Sequence, residues 1–392
     1  MDNYTSDPQE KVREWNSELV RSLVPNNVIL SLYMFTGLVG NSTVIFIYGF
    51  KMRGNKEDRY FIPFLATADL LASLVCASFG IAQNVMQATF DDEHLCKAWW
   101  FSAGFTTLTS VFFLLIIAVH RYLKVCKPLG KQMTLKWKRG ALCVGLTVAF
   151  TLSVPMSHFY GSESFLNDER QIHGLRCGRL STTNKTGSLI FGGVIVLTAI
   201  TLIVALICLY SKIGYTILEH FKYTKTVGKR DKIDHSQSGL SSSDDPLSDT
   251  EHEIHSIETD NTGFSATYTS QAFEHPTGNI QTRNIEHRGN PLPKLSSTKR
   301  RKNRKVVHKF TLMFMLITII FLICYIPKVI IMLLEASNTK FWEGFTDSGR
   351  SGVLFVYRIY ILNTVTNPFI YAFLDNKFTK EIKAFCKSCK KL

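Results

Sequence analysis

The chain has 392 residues, of which 46% are hydrophobic and only 19% charged. That balance lies between a soluble enzyme and an integral membrane protein, so composition alone excludes neither. The formal charge of +14 gathers in short clusters beside apolar runs, which suits anionic lipid headgroups and removes the need for a nucleic-acid partner.

In chain order, residues 1–27 are polar (MDNYTSDPQEKVREWNSELVRSLVP) and read as an extracellular N-terminal segment without a cleavable signal peptide. Seven apolar runs follow, each long enough to cross about 30 Å of hydrocarbon as a helix of roughly 20 residues. They lie near 28–50, 61–86, 99–123, 140–160, 187–210, 310–334 and 351–374, numbered here spans 1 to 7. A single such run also fits a buried core helix, but seven together predict an all-α membrane protein, a seven-transmembrane helix bundle. Spans 1–5 then occupy 28–221 and spans 6 and 7 occupy 305–374.

Basic residues set the orientation. Lys51, Arg53, Lys56 and Arg59 follow span 1, Lys124, Lys127, Lys131, Lys136, Lys138 and Arg139 follow span 3, and KRRKNRK (299–305) precedes span 6. With alternating spans these all fall on one side, which is the cytoplasm by the positive-inside rule. A multi-pass protein with its N-terminus outside the plasma membrane is expected. The sequons at Asn3 and Asn184 are then outside and open to glycosylation. Segment 222–304, rich in Ser, Asp and Thr (HSQSGLSSSDDPLSDTEHE), is too polar to build a core and is expected to be a disordered cytoplasmic loop and kinase target.

Of nine cysteines, Cys96 at the start of span 3 and Cys177 between spans 4 and 5 fall outside near membrane ends, where an oxidising exterior joins them. Cys386 and Cys389, in KAFCKSCKKL, have C-x-x-C spacing but no second pair for zinc. Flanking lysines beside a membrane favour palmitoylation.

Polar residues at bilayer depth are costly and normally face a cavity or a partner. Asn41, Asp69, Ser110, Asn363, Thr364 and Asn367 all fall there, and their oxygens are hard ligands suited to a small cation. Around them stand short motifs: GN at Gly40 and Asn41, LATADL ending in Asp69 and Leu70, and Cys96 before HRY at His120 to Tyr122. Pro128, CYIP at Cys324 to Pro327 and NPFIY at Asn367 to Tyr371 complete the series. One per span and in order, these motifs resemble the rhodopsin-like (class A) G-protein-coupled receptors over essentially the whole chain outside the loop and the polar ends.

The resemblance implies roles. Asp69, Ser110, Asn363, Thr364 and Asn367 look like a sodium pocket that favours the inactive state, with sodium as an allosteric modulator and no other cofactor. Phe321 and Tyr325 match the aromatic switch, Pro327 and Pro368 kink their helices, and Tyr210 and Tyr371 match tyrosines that swing inward. Arg121, followed by Tyr122, is the contact for a heterotrimeric G-protein, and arrestin and receptor kinases are further implied partners. Residues 375–392 resemble an amphipathic helix on membrane lipid, followed by a tail.

Departures carry expectations too. His120 stands where the family usually has an acid, and span 6 begins KVVHKF without one. Arg121 therefore lacks both usual charge partners, raised basal signalling is expected, and His120→Asp should lower it. Gly145 and Leu146 replace a tryptophan, Leu202 a proline and Tyr325 a tryptophan, which leaves the shape of span 5 open. At the ligand end, Ala103 occupies the position of the amine-binding aspartate and Ile361 that of the retinal lysine, which argues against both ligands. Lys328 is expected to face the cavity and meet an anionic group.

The polar loop SESFLNDERQIHGLRCGRL around Cys177 is long enough for a hairpin above the pocket and, with the charged N-terminus, suits an extracellular peptide, of neuropeptide type, as ligand. A small anionic metabolite is the alternative. A secondary transporter should show matching repeat halves, and none is evident; an enzyme should show a nucleophile–base or metal signature, which is also missing.

Overall fold

The structure, a computed structural model, describes residues 7–52, 57–167, 170–237, 297–337, 341–342 and 344–389. The helices before the hairpin are α1 (Pro8–Ser22), α2 (Val24–Phe46, prolonged to Lys51 by a π turn), α3 (Ile62–Val85), α4 (Glu93–Cys126), α5 (Leu135–Ser153) and α6 (Met156–Phe159). A 3-10 turn at Glu57–Arg59 precedes α3. Antiparallel strands β1 (Tyr160–Asn167) and β2 (Ile172–Arg179) pair with Ser162 opposite Cys177. Then come α7 (Lys185–Gln237), α8 (Ser297–Ser337), α9 (Asp347–Arg358), a 3-10 turn at Ile359–Ile361, α10 (Leu362–Leu374) and α11 (Asn376–Cys389).

Seven of these segments are long and apolar enough to cross a membrane, from Val24–Lys51 to Ser348–Leu374. They match the predicted runs one for one, mostly extending a few residues further because helical hydrogen bonding outlasts the last apolar side chain. Caps mark several starts: Asp92 accepts from Leu95 N at 2.9 Å, and Thr346 from Gly349 N at 3.3 Å.

The burial pattern is that of a bundle in lipid. Val28, Phe35, Leu197 and Ile323 are all more than half exposed, whereas Asn41, Asp69 and Ser73 are fully buried. The exposed apolar surface is solvated by hydrocarbon, while the polar groups gather inside the bundle. Small residues bring helices together: a Cβ at Gly37 would overlap the Ser73 side chain, and one at Gly40 would lie 2.9 Å from Pro368 Cγ. Gly145, where the family has tryptophan, admits Phe112 and Ile116 of α4; a Cβ there would be 3.3 Å from Ile116 Cδ1. Leu202 settles the shape of span 5: α7 runs unbroken through it, and the side chain is buried in the main cluster with Leu206 and Tyr210.

Three features depart from the sequence expectations or lie outside them. The N-terminal segment contains α1, whose Trp15 and Leu19 pack on Ala88, Phe165 and Ile172. Helix also extends into both ends of the segment assigned to disorder, since α7 reaches Gln237 and α8 begins at Ser297; propagation adds a hydrogen bond for each residue fixed, and no proline lies in 222–237 or 297–304 to stop it. Contacts divide the chain into the bundle, which takes in residues up to 221 and from 301, and a second unit, 222–300; residues 238–296 lie outside the described residues. Finally, span 7 is built from α9, a 3-10 turn and α10 rather than one continuous α-helix.

Candidate functional site

The centre of the bundle is organised by Asp69. Its Oδ1 accepts from Ser110 Oγ and its Oδ2 from Asn367 Nδ2, both at 2.6 Å, joining α3 to α4 and α10. Pro368 has no N–H for the carbonyl of Thr364, and Asn41 Nδ2 donates to that freed oxygen at 2.9 Å, as well as to Gly37 O at 3.1 Å. Thr364 Oγ1 is turned to Ile361 O at 2.8 Å. The carbonyl oxygens of Asn41, Asn363 and Asn367 are buried without a hydrogen-bond partner among the described residues. A cavity of about 10 Å³ lies among Ser110, Asn363, Thr364, Tyr325 and Tyr360.

This donor set fits the ion that the resemblance implies. One carboxylate, a hydroxyl and spare amide oxygens provide hard ligands with a single negative charge, suited to a monovalent cation. Asp69, Ser110, Asn363 and Asn367 would hold it, and its charge would offset the buried carboxylate.

Around this centre lie the residues matched to switching. Phe321 and Tyr325 pack with their rings tilted by 33° at 4.6 Å between centroids, and Tyr325 meets Tyr360 edge-on at 5.6 Å. Tyr210 and Tyr371 are buried in the main cluster, with Tyr122 packed at its margin. Tyr371 meets the Tyr48 ring edge-on at 5.8 Å. Pro327 and Pro368 lie inside α8 and α10, as the motifs require.

At one end of the bundle Arg121 is 1% exposed. The sequence leaves it without a charge partner, and here the structure corrects that reading. Arg121 Nη1 donates to Asp58 Oδ1 at 3.2 Å and Nη2 to the Asp58 backbone carbonyl. Lys124 Nζ reaches the same Asp58 oxygen at 2.6 Å. Asp58 escaped the sequence analysis because it belongs to the turn before span 2, 63 residues away in the chain, and nothing local marks it as a partner. His120 is buried and meets the Phe61 ring edge-on at 5.3 Å, so it serves packing.

Beyond span 7, Asp375 breaks the helix, accepts from Lys377 N at 3.0 Å and from Tyr48 Oη at 2.9 Å, and so starts α11. Phe378 of α11 stacks on Tyr48 at 5.1 Å, which seats the predicted amphipathic helix against the bundle. The side chains of Cys386 and Cys389, in its last turns, lie outside the described residues.

At the opposite end Cys96 and Cys177 form the expected disulfide, with Cα atoms 5.6 Å apart. The hairpin that carries Cys177 is held by Ser162 Oγ to Phe90 O at 2.5 Å and by Phe90 N to Leu175 O at 2.9 Å. Helix α1 lies against it: Asn16 receives Ala88 N and donates to Val85 O, both at 2.9 Å, and Arg170 pairs with Glu18 at 2.5 Å. A signal for α1 was present in Asp7-Pro8, an N-cap followed by Pro at N1, and in the spacing of Val12, Trp15 and Leu19.

Below the hairpin the two predicted ligand residues have different surroundings. Lys328 Nζ lies 3.4 Å from the centroid of Tyr360, with Tyr357 and Tyr325 at 5.6 and 5.8 Å. No carboxylate pairs with it among the described residues. Ala103 is buried in an apolar cluster with Phe79, Cys96 and Cys177. Arg358 is buried too and donates to Asn84 Oδ1 at 2.6 Å, while Asn84 donates to Asn27 at 2.7 Å, stitching spans 7, 2 and 1. Asn184 is exposed at the start of α7, and Asn3 lies outside the described residues.

Known proteins share this arrangement. A family described as "7 transmembrane receptor (rhodopsin family)" matches residues 40–371. A cholecystokinin receptor of Xenopus laevis is 21% identical over 92% of this chain and 76% of its own length. The cholecystokinin receptor type A of Canis lupus familiaris is 22% identical over 90% and 78%. Squid rhodopsin superposes with a TM-score of 0.60 at 13% identity, covering 94% of this chain and 85% of that one, a likeness of fold. These relatives are receptors and not enzymes. On the family match across residues 40–371, with its motifs arranged in one bundle, the chain belongs to the rhodopsin family of seven-transmembrane receptors and is a multi-pass membrane protein.

Proposed function

We propose that this receptor binds an extracellular peptide at the disulfide end of the bundle and, in response, activates a heterotrimeric G-protein at the Arg121 end. In this reading the N-terminus is outside the plasma membrane and α11 rests on the inner leaflet. The carrying observation is Arg121: a guanidinium buried at the bundle end, held by a carboxylate and facing Phe314 at 4.8 Å. An arginine that merely anchors its helix snorkels to the headgroups, whereas this one is withheld from them.

A peptide is favoured by the roof of the bundle. The hairpin and α1 offer a broad polar surface with exposed groups of both signs, among them Glu18 and Arg170, and peptides bind such surfaces by charge complementarity. The likeness to receptors for cholecystokinin, a peptide, points the same way. Lys328, in its tyrosine cage without a carboxylate among the described residues, favours a second reading in which the ligand is a small anionic metabolite. Sodium at Asp69 acts as a modulator of the inactive state, and arrestin and receptor kinases act on the cytoplasmic segments.

The test is a screen of cells expressing the full chain with a promiscuous Gα subunit, against a peptide library and a set of small carboxylates. A peptide response lost in Arg121→Ala at equal surface level supports the proposal. A response only to carboxylates moves the ligand to the second reading, and agonist responses that persist in Arg121→Ala refute the role of the arginine.

A further inference from the structure

The turn Glu57–Arg59 does more than link spans 1 and 2. Asp58 faces α4, where its carboxylate and its own backbone carbonyl take both terminal nitrogens of Arg121. The next residue, Arg59, faces the other way. Its Nε donates to Asp375 Oδ2 at 3.1 Å and its Nη2 to Oδ1 at 3.4 Å, at the junction of α10 and α11. Both guanidinium groups face the ring of Phe310 in span 6, which is 4.8 Å from Arg59 Cζ and 5.8 Å from Arg121 Cζ. One three-residue turn therefore ties spans 3, 6 and 7 together at the end where Arg121 is buried.

We infer that Asp58 is the positioning residue for Arg121, supplying from the turn before span 2 the restraint that an acid at position 120 would otherwise supply, and that the turn Glu57–Arg59 holds the receptor off. The inference rests on the reading of Arg121 as the transducer contact.

The chemistry suits a clamp rather than a permanent brace. Asp58 is 11% exposed and shared with Lys124, so both cations are held by one carboxylate at the edge of water. Arg121 Nε keeps no partner among the described residues. Displacing Phe310 with span 6 would remove the ring that both guanidinium groups face and open Asp58 to solvent, which weakens the pair by raising the local dielectric. His120, an imidazole packed on Phe61, carries no negative charge and cannot hold Arg121 in place of Asp58. An aspartate at position 120 could.

The experiment uses the full-length receptor without ligand, measuring G-protein nucleotide exchange per receptor at the cell surface. Asp58→Asn is expected to raise basal output about tenfold, the size of shift that loss of one charge-assisted contact produces in a two-state equilibrium. Asp58→Glu should stay near the parent. The double variant Asp58→Asn with His120→Asp should return toward the parent, because the carboxylate is restored from the other side; a purely structural role would not show this rescue.

Hydrogen exchange of the purified receptor at the start of span 6 separates the two readings. Faster exchange in Asp58→Asn without any rise in nucleotide exchange keeps the clamp and overturns the G-protein reading. Unchanged exchange and unchanged basal output overturn the clamp. So does a rise that His120→Asp fails to reverse, or a loss of surface receptor in Asp58→Asn that Asp58→Glu shares.

Discussion

Replacing Asp69 separates its structural role from its electrostatic one. Asp69→Ala leaves the Ser110 hydroxyl and the Asn367 amide, each now donating at 2.6 Å, without an acceptor in a fully buried site. An orphaned buried donor costs about 1–3 kcal/mol, so the two together should cost roughly 2–6 kcal/mol. Asp69→Asn is different. The new amide keeps one oxygen for Ser110, and its NH2 can donate to Asn367 if that side chain flips to present the carbonyl oxygen that now has no partner among the described residues. Stability should then fall by no more than about 1 kcal/mol, while the negative charge is gone.

The assay is thermal unfolding of the purified receptor in sodium chloride and in choline chloride. A cation at ten times its Kd stabilises the site by RT ln 11, about 1.4 kcal/mol. The parent should be more stable in sodium, Asp69→Asn should be indifferent to the cation, and Asp69→Ala should unfold first in both salts. An undiminished sodium response in Asp69→Asn refutes the carboxylate as the ion's anchor. Equal stability of the two variants refutes the accounting of donors.

Two further outcomes test the roof of the bundle. Cys177→Ser opens a closed loop 81 residues long, worth about 4.5 kcal/mol in chain entropy, and should release the hairpin, seen as faster amide exchange across Tyr160–Arg179; unchanged protection there argues that packing alone holds it. Trp15→Ala removes the ring that packs on Phe165 at 5.2 Å, a loss of about 3–5 kcal/mol for a buried tryptophan. It should free α1 from the hairpin, and exchange across Pro8–Ser22 matching the parent would show that α1 is docked by its polar bonds instead.

The departures from the family pattern acquire physical meaning only in three dimensions. Gly145 is the space that Phe112 and Ile116 occupy, and Leu202 is an ordinary buried helix residue. His120 looked like a missing restraint because the sequence shows only the neighbours of Arg121 in span 3; a carboxylate reaches Arg121 instead from the turn before span 2. Asn41 was marked as polar at membrane depth, but its partner is a backbone oxygen freed by Pro368, and no property of Asn41 itself points to that carbonyl.

By itself the sequence determined the number of spans, their order, the disulfide pair and the motifs at the bundle centre. The spans and motifs follow from local rules, the length of an apolar run against the thickness of hydrocarbon or a short signature within one helix, and the disulfide pair from which cysteines the alternating spans leave outside near membrane ends. Only the tertiary structure decided the pairing of Asp58 with Arg121, the joining of Arg59 to Asp375, the docking of α1 on the hairpin and the tyrosine cage around Lys328. Those contacts join residues far apart in the chain: the polar ones are chosen by which buried groups must find partners, and α1 is seated by Trp15 and Leu19 on the hairpin.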